Sequence, residues 1–175
     1  MAPIIKMFML GIILGMTMIY SDGASADDQL WRKDVENIEA ITHALHRWAS
    51  VEKGEVRDNR LLAYLVVPDA YVIDIIHDGD KTSYRTSFIR DWLKREPVPA
   101  SIGYHEKVKA IKFDWVGQFA DVWADYEIRE VEGAPAISLG VTNIQAYYDG
   151  TRWWILGWQN IKRKRMREEY SEHSE

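Results

Sequence analysis

A single acidic side chain interrupts an apolar, β-branched stretch of the chain, AYVIDIIH. In an extended strand Asp74 shares a face with Val72 and Ile76, and apolar surroundings disfavour the charged form of a carboxylate. A carboxylate in that setting suits a general base or acid near neutral pH. The alternative is an exposed strand edge or an ion pair with Arg85 or Arg90, and the sequence leaves both interpretations open.

The five histidines form no metal-binding pattern. His43 and His46 are three residues apart on a predicted helix, a spacing that two metal ligands can use, but no third ligand accompanies them. We therefore interpret both as surface or boundary residues, and we predict no metal site. The sequence also has no glycine-rich phosphate loop and no nucleophile elbow, so no cofactor is predicted.

Two amides interrupt a later apolar strand. Asn143 and Gln145 follow Ile137, Leu139 and Val141 at alternate positions, so all five share one face. The amides either hydrogen-bond a ligand or lie on an outer, interface-forming face, and the pattern does not separate these two interpretations.

Charge and cysteine content exclude several classes of protein. The formal net charge of −5 argues against a nucleic-acid partner. The chain has no cysteine, which excludes disulfides, thiolate metal sites and a cysteine nucleophile. With 47% hydrophobic and 28% charged residues, the composition is that of one ordinary globular domain.

The N-terminal segment 1–26 is interpreted as a cleavable signal peptide. Lys6 supplies a positive charge, residues 7–20 form an uncharged run, and residues 24–26 (ASA) fit a cleavage site. The run is shorter than the roughly 20 residues that a membrane span needs. We therefore predict an exported chain, periplasmic or secreted, with no membrane span after cleavage. The alternative is a chain that keeps this segment as a membrane anchor.

The chain changes once from helical to extended periodicity. Apolar residues recur at three- and four-residue spacing from Trp31 to Trp48, which predicts one long helix running from Asp27 or Asp28 towards Lys53. The other predicted segments are helices over 56–66 and 88–93 and strands over 70–77, 81–84, 104–115, 119–130, 137–148 and 152–160. Helices followed by an antiparallel meander indicate one α+β domain over 27–160, with a charged tail over 161–175.

The last predicted hairpin, YYDGTRWWILGW, turns at an Asp-Gly pair. Strict alternation puts Trp153 and Ile155 on one face and Trp154, Leu156 and Trp158 on the other. Both faces are then apolar, so each needs a cover. Helices cover one face, and the other is a pocket wall or a subunit interface.

Four short motifs occur in the order and spacing of a known superfamily. They are a Gly-Glu helix break (54–55), VPDAYVID (67–74), FADVWA (119–124) and DGTRWWI (149–155). In these motifs the chain resembles the nuclear transport factor 2-like superfamily, including its SnoaL-like and ketosteroid-isomerase branches. The resemblance spans about residues 28–160.

The resemblance implies a cone-shaped, curved antiparallel sheet wrapped around a long N-terminal helix, with a deep apolar pocket and homodimer formation through the outer sheet face. It puts Asp74, five residues after Asp69 of the PDA motif, where the steroid-isomerase branch keeps its base. It also suggests that His105 pairs with Asp74 across the mouth of the cone, as in the dehydratase branch. The implied ligand-binding residues are Trp48, Tyr71, Tyr126 and Asn143.

The sequence departs from the steroid-isomerase pattern at its oxyanion hole. Arg47 or Trp48 occupies the place of that branch's tyrosine, and Ile144 occupies the place of its acid. Isoleucine donates no hydrogen bond, so the electrostatic stabilisation of that reaction is missing and steroid-type isomerisation is not predicted.

Together these patterns predict an exported domain that binds a small, largely apolar molecule, as a homodimer. Whether the domain is an enzyme is left open. An enzyme of this kind would use cofactor-free isomerase, cyclase or dehydratase chemistry with Asp74 as base. The alternative function is a non-catalytic interaction or assembly domain of the cell envelope, which docks a partner through its aromatic sheet face.

Overall fold

The computed structural model describes residues 26–78 and 81–165 of the 175-residue chain. The predicted signal peptide, apart from its last residue Ala26, and most of the charged tail therefore lie outside the described residues. The helical elements are α1 Ala26–Trp31, a 3-10 turn Arg32–Val35, α2 Ile38–Ala49, α3 Asn59–Leu65 and α4 Ile89–Leu93. The strands are β1 Val66–Asp78, β2 Lys81–Phe88, β3 His105–Val116, β4 Phe119–Arg129, β5 Ser138–Tyr148 and β6 Trp153–Arg165.

The six strands form one curved, unclosed sheet in the order β2-β1-β6-β5-β4-β3. Neighbouring strands are antiparallel except β1 and β6, which run parallel. The meander from β3 to β6 begins at one edge of the sheet and ends beside β1, so its last strand joins the first hairpin. The predicted α+β class is confirmed, and the wholly antiparallel sheet is corrected at this one pair.

The sequence predicts one continuous N-terminal helix, but the structure divides this segment into shorter helices. Asn37 lies between the 3-10 turn and α2 in an extended conformation, and its side-chain oxygen accepts a hydrogen bond of 2.7 Å from the backbone nitrogen of Ala40. Asparagine is a strong N-cap residue, and this cap starts a new helix in the middle of the apolar stripe. The stripe itself is used as predicted, because Val35, Ile38 and Ile41 are all buried.

The helices cover one face of the sheet, which we call the inner face. Fully buried side chains from helices and strands meet there and form a core that extends across the sheet; they include Ile38, Ile41, Leu62, Val72, Val122, Ile144 and Ile155. This apolar core holds α2 against the sheet and fixes the direction of the residues at the end of that helix.

One extra residue in β6 breaks the alternation of faces along that strand. Gln145 of β5 is paired with Gly157, but the next residue, Ala146, is paired with Ile155. Leu156 is therefore unmatched, which is the geometry of a β-bulge. Residues on the two sides of a bulge no longer follow a simple odd-and-even rule.

The bulge brings Trp158 to the inner face. Trp158 is 3% exposed and belongs to the same buried cluster as Trp153 and Ile155. The prediction that Trp158 points away from Trp153 and Ile155 is wrong, because it assumed an unbroken strand.

Candidate functional site

A cavity of about 290 Å³ lies on the inner face, between the sheet and the C-terminal end of α2. One side of it is aromatic and is formed by Trp48, Trp92 and Trp158. The opposite side is polar and is formed by residues of α2 and five strands. The apolar stripe of α2 packs on the sheet, and this packing places the C-terminal end of the helix beside the cavity.

The aromatic wall combines three different elements. Trp48 of α2 and Trp92 of α4 lie nearly parallel, with ring centroids 6.3 Å apart. Trp158 of β6 meets both of them edge-on, at 6.4 Å and 6.3 Å. Such offset and edge-to-face contacts stabilise aromatic clusters beyond the area that they bury. The result is a packed aromatic wall, on which a ring-shaped ligand can make further aromatic contacts.

Asp74 belongs to a polar row that crosses four neighbouring strands. Its carboxylate accepts hydrogen bonds from Arg85 Nη2 at 2.7 Å and from Asn160 Nδ2 at 3.2 Å. Thr142 donates to Asn160 Oδ1 at 3.4 Å, and these residues are direct cross-strand neighbours. Asp74 is 25% exposed and Arg85 68% exposed. Asp74 is therefore both a cavity residue and a partner in a solvent-accessible ion pair.

A second acidic group, Glu106 of β3, forms a buried pair with a histidine of α2. Glu106 Oε2 lies 2.6 Å from Nδ1 of His46, and the two side chains are 9% and 3% exposed. The other carboxylate oxygen accepts a 2.7 Å hydrogen bond from the Tyr104 hydroxyl. Burial raises the pKa of Tyr104 far above its ordinary value, and the Glu106 carboxylate raises this pKa further. Tyr104 therefore remains a hydrogen-bond donor.

The backbone holds this pair in place. The Ser50 hydroxyl donates to the carbonyl of His46 and accepts from the backbone nitrogen of Glu106, both at 2.9 Å. The next residue, Val51, exchanges two backbone hydrogen bonds with Tyr104, at 2.7 Å and 2.8 Å. The C-terminal end of α2 is thus tied to the beginning of β3, and the two side chains meet at a fixed distance.

Tyr126 of β4 completes the polar side. Its ring centroid lies 4.8 Å from that of His46, and the residue is 2% exposed. Burial raises the pKa of Tyr126 well above its ordinary value, and the nearby Glu106 carboxylate raises it further. A Cβ at Gly140, on the neighbouring strand, would lie 2.3 Å from Cζ of Tyr126, so only glycine leaves room for this ring.

Two buried polar atoms of cavity-lining residues have no hydrogen-bond partner within the described chain, namely Nε2 of His46 and Nε1 of Trp48. A buried polar atom left unpaired costs roughly 1–3 kcal/mol, so both atoms favour a bound polar group. When Nδ1–H of His46 donates to Glu106, the neutral imidazole offers a lone pair at Nε2. The site can therefore accept one hydrogen bond and donate another.

The structure brings three of the predicted site residues together. Asp74, Trp48 and Tyr126 all line the cavity. Their predicted roles as base and ligand contacts stay predictions, because a position in the wall does not establish a function.

Two other predicted ligand contacts lie on the opposite, outer face of the sheet. The Tyr71 hydroxyl is 3.5 Å from Oε1 of Gln145, and Asn143 Nδ2 donates to Asp121 at 2.8 Å. Tyr71 is an odd number of residues away from Asp74, and Asn143 is next to the inward-facing Thr142, so strand alternation turns both outward. Neither residue lines the cavity.

His105 does not reach Asp74. Its Nε2 lies 3.5 Å from Oε2 of Glu52, and the residue lines an open groove on the other side of the His46–Glu106 pair. The inward position at the start of β3 belongs to the next residue, Glu106. The predicted pairing of His105 with Asp74 is corrected by this shift of one position.

The most enclosed polar pair of the site was therefore missed in the sequence. A helical signal was present, since His46 follows Thr42 by four residues and both lie on the buried face of α2. A strand signal was present as well, because Glu106 alternates with the outward-facing His105. The contact between His46 and Glu106 has no local signal, since sixty residues separate the two.

Among the residues that the structure describes, no group of three or more His, Asp or Glu side chains is arranged to hold a metal ion. In the same ranges, none of the helices is long and apolar enough to cross a membrane.

Comparisons by sequence give no relatives: no protein-family model matches the chain, and no curated protein does. Comparisons by structure give matches of low identity. An NTF-2-like protein of unknown function from Silicibacter pomeroyi is 10% identical, with a TM-score of 0.44, over 71% of this chain and 92% of that chain. An NTF2-like protein of unknown function from Methylobacillus flagellatus is 16% identical, with a TM-score of 0.43, over 73% and 95%.

A third match is to a complex of a yeast deubiquitinase and its cofactor, at 15% identity and a TM-score of 0.47, over 72% of this chain and 92% of that chain. Likenesses at this level concern the fold alone and carry no ligand or activity to this protein. The element order and the single curved six-stranded sheet of the chain are those that its sequence resemblance to the nuclear transport factor 2-like superfamily predicts.

Proposed function

We propose that this domain binds a small, largely apolar molecule in the inner-face cavity. The observation that carries the proposal is the wall of three tryptophans from three elements, Trp48, Trp92 and Trp158, opposite a polar side. Each side has one buried polar atom without a partner in the described chain. Ligand sites of small molecules are typically apolar clefts with a few convergent polar groups.

The cavity limits the size of the ligand. A dry apolar cavity of about 150 Å³ holds one benzene molecule. The cavity of this protein is about 290 Å³, which suits a molecule of one or two rings. Its volume lies at the lower end of the range of roughly 300–1,000 Å³ that is usual for ligand pockets.

Binding is tested with tryptophan fluorescence, because the wall itself reports on occupancy. We expect 4-nitroanisole, a neutral single-ring probe, to quench the emission in a saturable way. Trp92→Ala should weaken its binding about two- to tenfold, since removing one tryptophan of the wall removes a contact worth about 0.5–1.5 kcal/mol. The matched control is Trp123→Ala, on the outer face, where Trp123 is 46% exposed. Quenching that is not saturable, or that both variants weaken equally, would contradict the proposal.

An acid–base reaction in this cavity is the finer form of the proposal. The isomerase, cyclase or dehydratase chemistry inferred from the sequence needs a proton acceptor beside the ligand, and Asp74 and His46 both line the cavity. Neither reaction class nor substrate follows from the fold.

The predicted homodimer and the alternative assembly function concern the outer face of the sheet. Exposed apolar side chains support them, with Phe119 60% and Trp123 46% exposed on β4. Native mass spectrometry of the wild type and Trp123→Glu tests the homodimer. A dimer that Trp123→Glu dissociates supports the homodimer, and a wild-type monomer argues against it.

We also propose export with cleavage after Ala26. The support is the N-terminal composition alone. The intact mass of the protein from its own cell should correspond to a chain starting at Asp27. A mass that includes residues 1–26 would favour the retained anchor instead.

A further inference from the structure

We propose that His46, held by Glu106, is the proton acceptor of the cavity, and that its ligand is a neutral ring that carries a hydroxyl group. The inference rests on the proposed function, because it needs a ligand in the cavity. It assigns the acid–base role to a pair other than Asp74 and names the chemical class of the molecule that the pair would act on.

The geometry of the pair leaves one ring nitrogen of His46 without a partner in the described chain. Nδ1 of His46 faces the Glu106 carboxylate at 2.6 Å, so Nε2 is the ring nitrogen left for a ligand. That atom is buried and has no partner in the described chain. A carboxylate that accepts Nδ1–H fixes the tautomer and stabilises the imidazolium when Nε2 takes up a proton.

Asp74 is less suited to the same role. Both of its oxygens are already hydrogen-bonded, one to Arg85 and one to Asn160. Taking a proton would weaken the ion pair with Arg85. His46 has one nitrogen committed to Glu106 and the other unpaired, so it can accept a proton without losing a contact.

The charges around the cavity indicate a neutral ligand. The lining contains the carboxylates of Asp74 and Glu106 and the guanidinium of Arg57, and Arg85 compensates Asp74. With His46 neutral these charges cancel, so neither an anion nor a cation is favoured. A neutral ligand must then offer a hydrogen-bond donor to Nε2 and a flat body to the tryptophan wall, which a hydroxylated aromatic ring does.

The proton transfer is balanced within the site. The ligand O–H bond breaks, its electron pair stays on the oxygen, and the proton forms a new bond to Nε2 of His46. The products are a phenolate and an imidazolium that is paired with Glu106. Because His46 and Glu106 also line the open groove on their other side, the pair lies between the cavity and that groove.

The test compares two probes with the same ring, 4-nitrophenol and 4-nitroanisole, of which only the first has an O–H. We expect the wild type to bind 4-nitrophenol about tenfold more tightly than 4-nitroanisole, because an unpaired buried acceptor is satisfied. Absorbance distinguishes the phenol from the phenolate. We expect the ionised fraction of bound 4-nitrophenol to exceed that of the free probe at the same pH.

Matched variants identify the acceptor. His46→Gln should abolish the gain in ionised probe, and Glu106→Gln should reduce it, whereas the control Asp121→Asn, on the outer face of the sheet, should leave it unchanged. Asp74→Asn should not abolish the gain, because Asp74 is not the acceptor. His46→Asn serves as a second variant if circular dichroism shows that His46→Gln does not fold.

Each contrary result has a separate meaning. Loss of ionisation in Asp74→Asn but not in His46→Gln would overturn the assignment in favour of Asp74. Binding of 4-nitroanisole without a preference for 4-nitrophenol would overturn the ligand class but leave the proposed function standing. If neither probe binds, the inference and the proposed function are both overturned.

Discussion

Asp74 and Glu106 line the same cavity, but the protein surrounds these two carboxylates differently. Asp74 lies near one edge of the sheet, is 25% exposed and pairs with Arg85, which is 68% exposed. Glu106 lies on the opposite edge strand, is only 9% exposed and pairs with a histidine that is 3% exposed. The partner of Asp74 is exposed to solvent, whereas the partner of Glu106 is buried and lines the cavity.

This difference shows why an acid in an apolar strand is an incomplete sign of acid–base chemistry. The strand pattern around Asp74 says which face it lies on but not which cation the next strand supplies. Asp74 is paired with an exposed arginine, whereas Glu106 is paired with a buried histidine whose second ring nitrogen has no partner in the described chain.

Among the substitutions that test this difference, replacement of Glu106 is expected to lower the free energy of unfolding most. Glu106→Ala leaves Nδ1 of His46 and the hydroxyl of Tyr104 buried without an acceptor, so the free energy of unfolding should fall by about 3 kcal/mol. Asp74→Ala leaves Arg85 free to be hydrated, and about 1 kcal/mol should be lost. Urea denaturation measures both, and equal losses would show that the two carboxylates are not distinguished by burial.

A smaller effect is expected from crowding the wall beside His46. Gly140→Ala puts a methyl group into the ring of Tyr126, and overpacking of this kind costs about 2 kcal/mol. Gly157→Ala is the control on the outer face, where a Cβ would lie 2.8 Å from the carbonyl oxygen of Tyr71. Both variants should lose stability in denaturation, but only Gly140→Ala should weaken the binding of 4-nitroanisole. If both variants bind 4-nitroanisole equally well, Tyr126 is not part of the ligand site.

Asp149 provides a third carboxylate, with partners only from its own turn. Partial burial pushes its pKa upward, but hydrogen bonds from Trp154, Thr151 and Arg152 outweigh this and hold the pKa well below its ordinary value. Asp149→Asn should therefore cost about 1 kcal/mol near neutral pH, since charge-assisted hydrogen bonds at an exposed site are screened.

The pH dependence of that loss follows from the lowered pKa. The contribution of Asp149 is fully present above the unfolded-state pKa of about 3.9 and is lost as pH falls through the folded-state value. Urea denaturation at neutral pH and near pH 3 should thus show a gap between wild type and Asp149→Asn that narrows in acid. A gap that is unchanged by pH would mean that the carboxylate charge does not stabilise the turn.

The smallest effect is expected from the exposed partner of Asp74. Arg85→Ala should cost only about 0.5 kcal/mol, because exposed ion pairs contribute little to stability. Most of this difference should disappear in high salt, which screens exposed charges. Denaturation at low and high salt measures it. A loss of stability that persists in high salt would show that the Asp74 ion pair is shielded from solvent, as the Glu106 pair is.

Most of the fold was predictable from the sequence because its signals are local. The change from helical to extended periodicity and the Asp-Gly turn gave the class and the last hairpin. Two local features were not predicted, because in each case a single residue interrupts a longer apolar pattern. Asn37 caps a helix inside a continuous apolar stripe, and Leu156 adds a bulge inside an apolar strand.

The site was less predictable than the fold because its central contacts join distant residues. Asp74, Trp48 and Tyr126 could be selected from position within one strand or helix. The pairing of His46 with Glu106 depends on how α2 ends against β3, through Ser50 and its two hydrogen bonds. The contact between α2 and β3 leaves no periodic pattern in the sequence, which is why His46 was interpreted as a surface or boundary residue.

The unmatched Leu156 makes the contents of the cavity depend on the register of β6 as well as on residue identity. In a strand without this bulge, Leu156 would pair with Gln145, so Trp158 and Asn160 would turn outward and Gly157 and Gln159 would come to the inner face. A shift of register by one residue would thus replace a tryptophan and a hydrogen-bonding amide at once, without any substitution.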